Sequence, residues 1–91
     1  MLISPEEIKK SLSSSKWEYL NGKIIKNYEF NTYMEGVSFA QKIAELAEKQ
    51  NHHPNIIIGY CTIEISIFSH QMNGVTTKCV NLATAINALE K

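Results

Sequence analysis

Trp17-Glu18-Tyr19-Leu20-Asn21-Gly22-Lys23-Ile24-Ile25-Lys26-Asn27-Tyr28-Glu29-Phe30 is the stretch from which the architecture follows. A two-residue type I′ turn needs φ > 0 at both central positions, and Asn-Gly adopts it at least cost. The aromatic and β-branched runs on either side, 17–20 and 23–30, therefore read as a hairpin. Downstream, Thr32 to Gln50 reads as one long helix. Val37, Ala40, Ala44 and Ala47 form one stripe and Phe39, Ile43 and Leu46 a second beside it, a face wide enough for a sheet and a partner subunit. Pro54 is expected to stop this helix. Asn55–Tyr60 and Thr62–Ser69 then read as a second pair of strands. In the latter, Ile63, Ile65 and Ile67 alternate with Thr62, Glu64, Ser66 and Phe68, giving one dry and one wet face. Upstream, Ser4-Pro5-Glu6-Glu7 supplies a Ser cap, a first-turn Pro and a capping Glu for a helix to about Leu12, with Ile8 and Leu12 on one side. Ser11 to Ser15 reads as that helix running out into a loop. Asn73-Gly74 marks a turn, and Thr76 or Thr77 caps a last helix ending near Leu89, its inner face drawn from Val80, Ala83, Ile86 and Leu89. The order α-ββ-α-ββ-α implies a two-layer α+β fold, a four-stranded antiparallel sheet with helices on one face.

With 91 residues, the chain 1–91 is expected to form a single domain, and 44% hydrophobic with 20% charged residues is an ordinary globular mix. All nine basic residues are Lys and all nine acidic residues are Glu, so formal net charge is zero. Without Arg there is no bidentate reader of guanine or clamp for phosphate, which argues against nucleic-acid binding. Without Asp, the loops that hold Ca²⁺ are excluded. Cys61 and Cys79 are too few for a disulfide framework and suggest reduced thiols in the cytoplasm. No secretory signal is expected at the start, and Ile56-Ile57-Ile58 is far short of the ~20 apolar residues of a membrane helix. A core this small favours self-association, as a homodimer or homotetramer. Lys9, Lys10, Lys16, Lys23 and Lys26 read as solvated surface, and Trp17 as packing.

The chemistry lies in His52, His53 and His70, the three histidines of the chain. A hairpin turning on Cys61-Thr62 would set His53 opposite His70; a turn centred on Cys61 would set His52 there instead. In either register all three imidazoles reach the same end of the sheet. Imidazole exchanges protons near neutrality, so two rings flanking a pocket form an acid/base pair. A three-histidine zinc site is the competing reading, although adjacent histidines aim poorly at one metal. The plainest reading, three unrelated surface or core rings, sits badly with their convergence.

Glu48-Lys49-Gln50-Asn51-His52-His53-Pro54, then Tyr60, then His70, resembles the pterin-4a-carbinolamine dehydratase family. Trp17, Ala47-Glu48, Ser69-His70, Gly74, Val75-Thr76 and Leu82-Ala83 extend the likeness along nearly the whole chain. The resemblance implies dehydration of a 4a-hydroxytetrahydropterin to a quinonoid dihydropterin in tetrahydrobiopterin recycling, with no metal or organic cofactor. It implies His52 and His70 as the catalytic acid/base pair, and His53, Pro54, Glu48 and Ser69 as substrate-binding or orienting residues. The chain departs from the family pattern twice. Ile56 stands where an aromatic is usual, and Cys79 where the family has Asp. A thiol is mostly neutral near pH 7 and a weak acceptor, so a His tuned by that Asp would lose its support. The same position lies three residues after the Thr76 cap, where a carboxylate chiefly steadies a helix. A non-catalytic dimerisation module of the transcription-coactivator kind is the alternative that the family also implies.

Overall fold

The computed structural model describes residues 2–12 and 15–90. They form α1 (Pro5–Ser11), β1 (Glu18–Leu20), β2 (Lys23–Glu29), α2 (Tyr33–Gln50), β3 (Asn55–Gly59), β4 (Thr62–Ile67) and α3 (Thr77–Asn87). The four strands make one antiparallel sheet ordered β1-β2-β4-β3. This is the α+β arrangement expected from the element order. Ser13 and Ser14, part of the loop read after α1, lie outside the described residues.

Local chemistry explains each boundary. Asn21 and Gly22 have φ of 52° and 80°, both positive as a type I′ turn demands. Ser4 and Thr32 close capping boxes with Glu7 and Glu35 at the starts of α1 and α2. The end of α2 corrects the expectation built on Pro54. The helix stops at Gln50, and Asn51 turns the chain left-handed with φ 53°. The His52 N–H then donates back to the Ala47 carbonyl at 3.1 Å. Asn tolerates that conformation better than most residues, so the stop is made three positions ahead of the proline.

Ile24, Ile63, Ile65 and Ile67 project from the sheet into a fully buried layer with Ile43 of α2 and Leu82, Ala83 and Ile86 of α3. On the outer face Asn27, Glu29, Asn55 and Thr62 are exposed. The buried stripe of α2 is Gly36, Phe39, Ala40, Ile43 and Ala47, whereas Ala44 is exposed and Val37 half-buried. The stripe is narrower than the sequence suggests because it is confined to the part of the helix that meets the sheet and α3. Cys79 joins the inner face of α3, and Val80 lies at its margin.

The second hairpin departs from both expected registers. Gly59 pairs with Thr62 and Asn55 with Ser66, so the turn is Tyr60-Cys61. Cys61 takes φ 61°, and a Cβ at Gly59 would sit 2.6 Å from Thr62 Oγ1, so any larger residue there would push that side chain aside. The ladder begins at Asn55 and ends at Ile67, so none of the three histidines is a paired residue.

Candidate active site

The end of α2, the start of β3 and the end of β4 lie together, because β3 and β4 are antiparallel neighbours. That topology brings His52, His53 and His70 to one end of the sheet, although the expected cross-strand pairs do not form. His52 and His53 occupy the link between Asn51 and Pro54, and their rings find different partners.

His52 is half-buried, and its Nε2 lies 3.2 Å from Cys79 Sγ. Cys79 is fully buried in the first turn of α3. Its N–H donates to Thr76 Oγ1 at 3.4 Å, and its sulfur lies 3.5 Å from the same hydroxyl. Thr76 is thus the helix cap and also part of the bed for His52. Burial lowers the His52 pKa below the usual imidazole value, and the positive charge of Lys78 and the neighbouring His53 push in the same direction. His52 is therefore poised as an uncharged ring at neutral pH.

His53 turns outward, with Nε2 2.6 Å from Glu48 Oε2. Glu48 lies in the last turn of α2, so the left-handed exit at Asn51 swings the following chain back over its carboxylate. Their side chains are 55% and 77% exposed, so the pair orients an imidazole and adds little stability. Pro54 is half-buried and fixes the backbone between this pair and β3.

His70 is exposed and packs on Phe68, with ring centroids 4.5 Å apart and 52° between planes. The loop that carries it is closed by Ser69 and Gly74, whose backbones exchange hydrogen bonds of 2.7 and 3.3 Å. Ser69 Oγ also accepts from the Met72 N–H at 3.1 Å. Ser69 therefore shapes the loop that presents His70. Among the described residues, no three His, Cys or Glu side chains gather as a metal site would need.

Ile56 packs against the core on the helix side, and Tyr60 is 83% exposed at the opposite end of β3 from the histidines. Sequence reasoning missed Lys78 and Phe68 at this site. Phe68 and His70 could have been paired from their i, i+2 spacing, but nothing local in Thr77-Lys78 shows that it faces another element.

A second polar cluster was also missed. Lys26, read as solvated, is 6% exposed. Its Nζ donates to Glu90 Oε2 at 2.6 Å and to Asn87 Oδ1 at 3.0 Å. Trp17 Nε1 donates to the same Asn87 oxygen at 2.9 Å, and Tyr28 Oη donates to Glu90. Lys26 is drawn inward because it shares a face with Ile24 and Tyr28 on β2, directly opposite Ile65. Concavities of about 790 and 690 Å³ flank Tyr28 and Glu90, and no histidine lines either. Burial first, and then Glu90, hold Tyr28 protonated well above its usual range. Burial by itself would raise the Glu90 pKa, but hydrogen bonds from Lys26 and Tyr28 with the charges of Lys26 and Lys16 outweigh it and leave it lowered. Neither group exchanges protons near pH 7, so size alone does not make these hollows the reactive site.

The chain is thus a two-layer α+β protein with imidazoles from the α2–β3 link and from the end of β4 at one end of its sheet, side chains of the kind used in acid/base chemistry. Residues 1–89 match the model of the pterin 4 alpha carbinolamine dehydratase family, and the chain belongs to that family. It is 33% identical over 91 residues to a Sulfolobus acidocaldarius protein provisionally named pterin-4-alpha-carbinolamine dehydratase, covering 99% of this chain and 100% of the other. A transcriptional coactivator/pterin dehydratase from Brucella melitensis has the same fold, with a TM-score of 0.91 at 23% identity over 100% of both chains. A pterin dehydratase-like protein identified as a RuBisCO assembly factor of the alpha-carboxysome shares the fold at TM-score 0.65 and 21% identity, over 81% of this chain and 86% of that one. No helix of the described residues is long and apolar enough to cross a membrane.

Proposed function

We propose that this chain dehydrates a 4a-hydroxytetrahydropterin to the quinonoid dihydropterin, in the recycling of tetrahydrobiopterin. The observation that carries the reading is the placement of His52, His53 with Glu48, and His70 at the same end of β3 and β4. In the reaction the C4a–O bond breaks with its electron pair on oxygen. The N5–H pair becomes the C4a=N5 bond, and the oxygen leaves as water with one added proton. His52 and His70 exchange these two protons with the substrate and are reset by solvent. His53, held by Glu48, and the backbone around Pro54 and Ser69 bind and orient the bicyclic ring. These steps need only proton exchange, and no metal or organic cofactor is invoked.

The test is stopped-flow absorbance of 4a-hydroxytetrahydropterin decay between pH 6 and 9. Acceleration that disappears in His70→Ala supports the dehydratase. Folded protein that gives no acceleration at any pH overturns it.

A second reading, a binding module without catalysis, is favoured by one observation: a thiol stands at Cys79, where the resemblance leads one to expect a carboxylate. One fold neighbour is named a transcriptional coactivator as well as a pterin dehydratase, and the other an assembly factor. Self-association as a homodimer or homotetramer fits both readings, since β3 is a sheet edge carrying Ile57 at 59% and Ile58 at 43% exposure. Sedimentation at micromolar concentration tests it, and a strict monomer overturns it. The free thiols of Cys61 and Cys79 are in keeping with a reducing cytoplasm.

A further inference from the structure

Resting on the dehydratase reading, we propose that Cys79 is a positioning residue for His52. Its buried thiol donates to Nε2, fixes the single ring proton on Nδ1, and so makes His52 the hydrogen-bond donor to the departing hydroxyl. His52 steadies the hydroxyl as it leaves with the C4a–O electron pair, acceptance of the N5 proton falls to His70, and a proton from solvent completes the water.

The direction follows from counting donors. Cys79 Sγ has two polar neighbours, His52 Nε2 at 3.2 Å and Thr76 Oγ1 at 3.5 Å. Thr76 Oγ1 already accepts the Cys79 N–H, so its own hydrogen is free to point at the sulfur. In the arrangement that uses every hydrogen of the trio, the sulfur receives from Thr76 and gives its own hydrogen to the remaining neighbour, the imidazole nitrogen. An imidazole that accepts at one nitrogen carries its proton on the other. With Nε2 against a fully buried sulfur, the nitrogen left for a substrate is Nδ1.

The surrounding charges oppose an imidazolium at His52. Lys78 from α3 and His53 from the α2–β3 link both disfavour a proton on His52, and the Glu48 carboxylate is engaged by His53. A carboxylate at position 79 behaves in the opposite way. It only accepts, so it would demand Nε2–H, leave Nδ1 bare, and stabilise the imidazolium. Cys79 in place of Asp therefore exchanges the proton-bearing nitrogen of His52 as well as weakening a contact.

The test is ¹⁵N-edited NMR of the histidine rings in the folded, full-length chain, titrated without substrate, beside the pH profile of kcat/KM. Wild type and Cys79→Ser should show neutral His52 as Nδ1–H, and Cys79→Ala should release the ring to both tautomers. Cys79→Asp should convert it to Nε2–H and raise its titration midpoint by about 1–3 pH units, with the kinetic profile moving equally. Nε2–H in the wild type, or a tautomer indifferent to both Ser and Ala, overturns the proposal even if Cys79→Asp fails to fold. A profile that stays fixed while the His52 midpoint moves also overturns it. The ring signals need no activity. A tautomer switch in a protein that never dehydrates the pterin would therefore fell the dehydratase reading and leave the hold of Cys79 on His52 standing.

Discussion

Helix α3 begins against one polar cluster and ends against another. At its first turn, Cys79 and Lys78 face a half-buried, uncharged imidazole, and His53 and His70 nearby are exposed. At its last turn, Asn87 and the following Glu90 receive four hydrogen bonds from Lys26, Trp17 and Tyr28. The second cluster obeys helix electrostatics, because a buried ammonium meets the negative end of the dipole. The first does not: a lysine sits where the dipole is positive, and no acidic side chain balances it in that turn, which carries the buried sulfur of Cys79 instead. The Lys26 cluster ties its polar groups to one another in a buried network, whereas the histidine end keeps His53 and His70 exposed and accepts a local cost at the start of α3. That contrast is what favours the histidine end in the proposed reaction over the hollows beside Tyr28 and Glu90.

Substitution at each end should break this contrast in different observables. The largest effect is expected from His52→Ala and His70→Ala, each lowering the dehydration rate by about 10²–10⁴-fold while the melting temperature hardly moves. Two variants with wild-type rates would falsify the assignment of the acid/base pair. Lys26→Ala should do the reverse, costing about 1–3 kcal/mol in urea unfolding and sparing the rate. Removing a buried ammonium strands Asn87 and Glu90, and partial exposure of Glu90 keeps the loss below that of a fully buried pair.

The alkaline limb of stability sharpens the comparison further. The Tyr28 pKa is raised by folding, so its contribution is complete below the ordinary tyrosine value near 10 and fades as pH rises beyond it. Thermal melts should therefore fall more steeply above pH 10 in the wild type than in Tyr28→Phe, and parallel curves would remove Tyr28 from the account. His52 acts at the other limb. Its folded pKa is lowered, so stability present above about pH 6.5 declines as the medium is acidified and the ring must charge. The smallest effect is expected from Glu48→Gln: under about 1 kcal/mol in stability for so exposed a pair, with KM for the pterin rising more than kcat falls. A fall in kcat alone would instead move Glu48 into the proton-transfer machinery.

Much of this was legible along the chain because it depends on neighbours in sequence. Asn21-Gly22 dictates its own turn, Ser4 and Thr32 find their capping partners three residues away, and the Ile63-Ile65-Ile67 alternation selects the buried face. Those local rules gave the element order and hence the sheet. Glu48, His52, His53 and His70 were singled out from spacing and from a family likeness, and their gathering at one end follows from antiparallel β3 and β4.

What spacing could not supply was anything decided across elements. The register of the second hairpin turned on a single residue, Cys61, adopting positive φ, and a one-residue slip changes every cross-strand partner. Lys26 was read as solvated because its charge says so, yet β2 alternation points it inward, and only α3, 61 residues away, supplies Asn87 to receive it. The sequence by itself determined which residues are candidates for the chemistry and which local elements carry them. Tertiary packing decided which atom each one meets: Cys79 for His52, Glu48 for His53 and Phe68 for His70. A hydrogen bond is fixed to tenths of an ångström, whereas the alternation and capping signals of a sequence are fixed only to a face and a turn.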